Sequence, residues 1–156
     1  MMKVSIKGAG NAANEIKKAL SKFVTDEFIT VGIHEDENAR PEKGINNATL
    51  GAIQHFGTDT IPARPWLDVG VEQSNQEYLQ LIKDGIEDGL EMSQILEQLG
   101  LTAQASVQQY IVDLRTPANA PSTVAAKGSS NPLIDTGELR QSVTYKVTQG
   151  KPSEGI

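Results

Sequence analysis

A chain of 156 residues with 38% apolar and 4% aromatic side chains supports one domain with a modest, mainly aliphatic core. Its formal charge of -6 excludes the basic face of a sequence-specific DNA binder, yet suits a surface that passes near nucleic acid without adhering to it. The lack of cysteine excludes disulfide frameworks, thiolate metal sites and cysteine nucleophiles.

Met1 to Gly10 lack the apolar core of a signal peptide, and no apolar run approaches the ~20 residues of a membrane helix. A soluble protein made in the cytoplasm, with no membrane partner, is expected. Lys3 to Lys7 alternates Val4 and Ile6 with polar neighbours and predicts a short strand, ended by Gly8 and Gly10. Asn11 or Asn14 then caps a helix with Ile16, Leu20 and Phe23 on one stripe. Phe28 to Ile33, β-branched and apolar, predicts a central strand, and the acidic stretch His34 to Gly44 a loop.

Asn46 or Asn47 caps the next helix, with Leu50 and Ile53 inward and Gly57 at its end. Pro62 and Pro65 push Ile61 and Arg64 towards extended geometry, which delivers Trp66, the sole tryptophan, at a defined place. From Val69 the pattern is helical through Tyr78, Ile82, Ile86 and Leu90. Ser93 offers a new cap for a second helix carrying Ile95, Leu96, Leu99, Ala103, Val107, Ile111 and Leu114, with Gly100 as a kink. Residues 116–131 have no period and little to bury, so a mobile loop is expected there. Val143, Tyr145 and Val147 alternate with polar residues as a strand with one buried face, and 149–156 reads as a frayed tail. The fold class predicted is α+β: a single domain over 1–148, with a small mixed or antiparallel sheet packed by helices.

Few residues suggest chemistry. Leu133-Ile134-Asp135-Thr136-Gly137 is similar to the loop of a dimeric aspartic protease, in which two subunits each supply a carboxylate. That site needs a β-rich domain around it, and here only 21 residues follow Asp135 while a largely helical region precedes it. Asp135 is therefore expected to cap a single turn, with Glu138 at the third helical position as in a capping box. His34, Glu35, Asp36 and Glu37 have the residue types for a divalent cation but neither zincin nor EF-hand spacing, so a solvated loop is expected and no metal. His55 is a lone histidine on an apolar helix face. Gly8-Ala9-Gly10 lacks the dinucleotide fingerprint, because Ala13 stands where the third glycine belongs; no cofactor is expected. Arg64, flanked by stiff backbone, suits docking of its guanidinium, either into a partner or onto Asp68 or another carboxylate of its own chain.

Two signatures carry a resemblance. One is Gly51-Ala52-Ile53-Gln54-His55-Phe56-Gly57 followed by Ile61-Pro62-Ala63-Arg64-Pro65-Trp66-Leu67. The other comprises Pro121-Ser122-Thr123, Lys127-Gly128 and Pro132-Leu133-Ile134-Asp135-Thr136-Gly137-Glu138-Leu139 with Ser142. Over about residues 28–148 the chain resembles a family of tailed-bacteriophage neck proteins, known as head–tail connector, tail completion or Mu-like virion morphogenesis proteins. It departs from that pattern at Trp66, where phenylalanine is more usual. The resemblance implies a small α+β subunit, not an enzyme, in a homo-oligomeric ring of six or twelve copies. Such a ring joins the DNA-filled head to the tail, lines the genome channel and contacts other neck, connector and tail proteins. It is assembled in the host cytoplasm and resides in the virion, on either the head or the tail side of the neck. The resemblance places assembly contacts on Phe56, Pro62, Arg64, Pro65, Trp66 and Lys127, with the 116–131 loop ordering on assembly.

Overall fold

The computed structural model describes residues 9–34, 44–133 and 137–150. Among these the order is α1 (Ala9–Ser21), β1 (Glu27–Ile33), α2 (Asn47–Phe56), α3 (Trp66–Glu72), α4 (Asn75–Glu87), α5 (Met92–Asp113), α6 (Pro121–Lys127), α7 (Glu138–Gln141) and β2 (Val143–Gln149). The result is an α+β fold: a two-stranded antiparallel sheet packed by helices. None of the described helices is long and apolar enough to cross a membrane.

The central element is α5, 22 residues long. Ile95, Ala103, Val107 and Ile111, spaced by multiples of four, form its buried stripe. The last two join Trp66, Leu114, Leu133, Leu139 and Val143 in one core. Each buried aliphatic side chain contributes about 1.5–3 kcal/mol relative to exposure, so this cluster supplies most of the drive to fold. The turn between α4 and α5 is where the sequence places it, but Glu91 caps α5 instead of Ser93: the Glu91 N–H donates to Gln94 Oε1 at 3.0 Å. Gly100 is not a kink. α5 runs unbroken through it because it faces β2, where any Cβ would collide with the ring of Tyr145.

β1 pairs with β2 from Glu27↔Gln149 to Ile33↔Val143. His34 follows β1 and bridges the pair, one ring nitrogen 2.9 Å from Thr30 Oγ1 and the other 2.8 Å from Thr144 Oγ1. Among the described residues β1, expected as a central strand, has β2 as its strand neighbour. The outer edge of β2 is partly closed by two glutamines one turn apart on α5. Gln104 Oε1 accepts from the Tyr145 N–H at 3.0 Å, and Gln108 Nε2 donates to the Val143 carbonyl at 2.9 Å. Side-chain amides here stand in for a third strand.

Several boundaries differ from the sequence reading. Gln149 belongs to β2, and the Gly150 N–H donates to the Asp26 carbonyl at 2.9 Å, so the fraying expected from Gln149 begins no earlier than residue 151. Residues 116–131 hold α6, begun by Pro121 at its first position and ended by Gly128 with φ +67. The expectation of a structureless loop is corrected there, although α6 buries none of its residues. α7 starts at Glu138 with Gly137 as its cap, so Glu138 holds the first helical position and not the third. Asp135, the strand expected at Lys3 to Lys7, and Glu35 to Glu37 lie outside the described residues.

Candidate functional site

The two signatures meet in the core at Trp66, which packs with Leu133 and Leu139, and Arg64 beside it ties the first to the stretch that leads into the second. Asn46 caps α2 by accepting from the Thr49 N–H at 2.7 Å, and Gly57 ends the helix with φ +75. A Cβ on Gly57 would sit 2.6 Å from the Ile61 carbonyl oxygen, so the chain reverses here only with glycine. Thr58 then accepts from Ile61 N–H through Oγ1 at 3.1 Å while its own N–H donates to the Ile61 carbonyl at 2.8 Å. This tight loop returns the chain alongside α2, where the Arg64 N–H donates to the Gln54 carbonyl at 2.8 Å. Gly57→Ala is expected to cost at least the ~1–3 kcal/mol of forcing a side chain into this glycine-only backbone conformation, seen as a lower denaturation midpoint; an unchanged midpoint would show that the loop re-forms another way.

Arg64 is 2% exposed. Its Nε donates to the Pro117 carbonyl at 2.8 Å, Nη1 to Gln54 Oε1 at 2.7 Å, and Nη2 to the Ala118 carbonyl at 3.1 Å and Asn119 Oδ1 at 3.3 Å. All four acceptors are neutral. Burial without a carboxylate among them pushes the guanidinium pKa down from its usual value. The fork of N–H groups ties three stretches of chain at fixed angles, which a lysine ammonium cannot reproduce. Asp68 plays no part, since it faces His55 at 3.3 Å.

The strap that Arg64 holds is anchored again at its far end. Asn131 Nδ2 donates to the carbonyls of Val112 at 2.8 Å and Ile111 at 3.3 Å at the end of α5, while its Oδ1 accepts from the Leu133 N–H at 2.9 Å. Lys127 Nζ donates to the Asn131 carbonyl at 3.1 Å and to that of Pro132 at 3.4 Å. Thus α6 is exposed but fastened on both sides. Between α6 and the α2–α3 connection lies an open cleft of about 380 Å³, lined by Gln54, Thr60, Arg64, Asn119 and Thr123 among others.

Trp66 is also internal, 3% exposed, with Nε1 donating to the Gly51 carbonyl at 2.9 Å and the His55 ring against its face at 6.2 Å, edge-on. The expectation that Arg64 and Trp66 present themselves to a partner is therefore corrected. Both are consumed inside the subunit, because a rigid Pro-Arg-Pro-Trp segment serves equally well to fix an internal joint. Lys127 likewise turns its ammonium onto its own chain. Of the expected contact residues, Phe56 at 70% exposure, Pro62 and Pro65 remain on the surface. Phe56 borders a shallow apolar pocket of about 330 Å³ with Ile33, Ala48, Ala52, His55 and Leu67.

Gln54 and Asn131 escaped the sequence reading, though both are as central as Arg64. Gln54 lies inside the quoted signature, but nothing in a lone glutamine signals which backbone it will meet. Ser106 was missed for a similar reason: its Oγ donates to the Gly70 carbonyl at 2.6 Å and lies 2.9 Å from Ser74 Oγ, locking α3 onto α5. Among the described residues no group of three or more histidine or acidic side chains could hold a metal ion. The arrangement around Arg64 binds chain to chain. Compared with known protein families, curated proteins and solved structures, the chain has no match.

Proposed function

We propose that the chain is a structural subunit of a tailed-bacteriophage neck, joining the DNA-filled head to the tail as one copy in a ring. One observation carries this reading. The two signatures of the resemblance, far apart in sequence, close on each other within one subunit: Trp66 of the first shares a core with Leu133 and Leu139 of the second, and Arg64 grips residues 117–119, just ahead of Pro121. Motifs that interlock in this way support a resemblance of whole domains over a coincidence of short words. They build a joint, and the surface around that joint is left for neighbours, Phe56 foremost.

The ring comprises six or twelve copies and meets other connector and tail proteins. Its acidic balance keeps passing DNA from adhering, so contact with the genome is non-specific. The test is a phage lysate made without this protein: DNA-filled heads and separate tails should accumulate, and adding the purified protein should restore plaque-forming particles. Joined, infectious virions in its absence would overturn the reading.

A further inference from the structure

α1 stands apart from the body. Every described side chain from Asn14 to Leu20 is exposed, Leu20 by 58%, and Val24 just beyond is 78% exposed. Its C-terminal end is tethered by the Met92 N–H donating to the Lys22 carbonyl at 3.3 Å and by Lys22 Nζ 3.5 Å from Glu91. A helix of 13 residues that includes Gly10, Asn11 and Asn14 is too short to persist in water unpacked, even with alanine and lysine among its other residues. It needs a surface.

The body offers one. An open groove of about 260 Å³ is lined almost wholly by apolar groups: Ile29 and Val31 of β1, Val71 of α3, Tyr78 and Ile82 of α4, and Leu99 and Ala103 of α5. Charge points the same way. Residues 1–24 hold five lysines and one glutamate, whereas the remaining chain holds nine basic against nineteen acidic side chains. The two helices that wall the groove carry Glu77, Asp84, Glu87, Glu97 and Asp113 with only Lys83 against them. The ion pair between Lys22 and Glu91 is one instance of this complementarity already formed.

We propose that α1 is an exchange arm: the basic amphipathic helix of one copy docks in the apolar groove between β1, α4 and α5 of a second copy, whose flanking helices are predominantly acidic. Leu20 is the apolar anchor, and Lys17 and Lys18 are attracted by the acidic charge of those helices. The inference rests on the reading of the chain as a self-assembling subunit and names the contact that links successive copies. A head-to-tail exchange of this kind is heterologous, so it generates a ring when the rotation closes.

The chain has no cysteine, so single introduced thiols report contacts without background. Leu20→Cys protein is mixed under oxidising conditions with a tagged second variant, either Leu99→Cys or Ile82→Cys. A covalent pair of the two variants is expected, and raised salt should reduce its yield. Leu101→Cys, exposed at 58% but outside the groove, should give little. Leu20→Glu changes a residue already in water, so the fold persists while self-association weakens about tenfold or more. A chain carrying both Leu20→Cys and Leu99→Cys that closes only on itself would overturn the proposal by returning α1 to its own groove. So would equal crosslinking at Leu101, or self-association unchanged by Leu20→Glu. In those cases the neck reading is untouched, because the joining of heads and tails measures it separately.

Discussion

Arg64→Ala is expected to lower stability by about 2–4 kcal/mol and to free the 116–131 strap. Hydrogen bonds to a charged donor contribute about 1.5–3 kcal/mol each, but they are not additive, and the open cleft lets water reach the abandoned acceptors. The sum is therefore smaller than four such bonds suggest. Its location matters more than its size. Without the guanidinium, the carbonyls of Pro117 and Ala118 lose their hold on the α2–α3 connection. Limited proteolysis should then cut first within 116–131, faster than in the parent protein, where Asn131 and Lys127 secure only the distal end. Arg64→Lys keeps the charge but cannot span acceptors on both α2 and residues 117–119, so it should recover less than half of the loss. An unchanged denaturation midpoint together with an unchanged cleavage pattern would mean that the strap is held by something other than Arg64.

Trp66→Ala should be the most damaging single change, at about 3–5 kcal/mol. The ring fills the space between α2, α5 and α7, and its removal leaves a cavity bordered by Gly51, Ile33 and Leu139, none of which can reach across. It also removes the hydrogen bond from Nε1 to the Gly51 carbonyl. Trp66→Phe separates the two contributions. It retains most of the volume and gives up the hydrogen bond, so a loss near ~1 kcal/mol is expected. Phenylalanine is also the more usual residue in the family that the chain resembles. If the alanine variant were as stable as its parent, the core as described would be wrong.

The sequence was most readable where one physical signal dominated. Asn46 and Gly57 bound α2 as their capping chemistry dictates, and the β-branched run from Phe28 to Ile33 is a strand. The four-residue spacing of Ile95, Ala103, Val107 and Ile111 gave the buried face of α5 directly. It was least readable where long-range contacts decide the outcome. Gly100 looks identical in sequence whether it bends a helix or admits Tyr145, and only the arrival of β2 from 45 residues on distinguishes the two. Arg64 and Trp66 were rightly singled out as fixed by their prolines, but stiffness says nothing about which side of the surface a side chain ends on. Residues 116–131 have the composition of a loop; α6 forms there because Pro121 and Gly128 supply its two ends while Arg64 and Asn131 bring partners from elsewhere.

The location of the protein in a virion tests the central proposal most directly. Gold particles bound to a tag at the C-terminus, imaged on intact tailed phage that carries the tagged chain, should cluster at the junction of head and tail in a ring of six or twelve labels. Label spread over the capsid, confined to the tail tip, or absent from purified infectious particles would contradict the assignment to the neck.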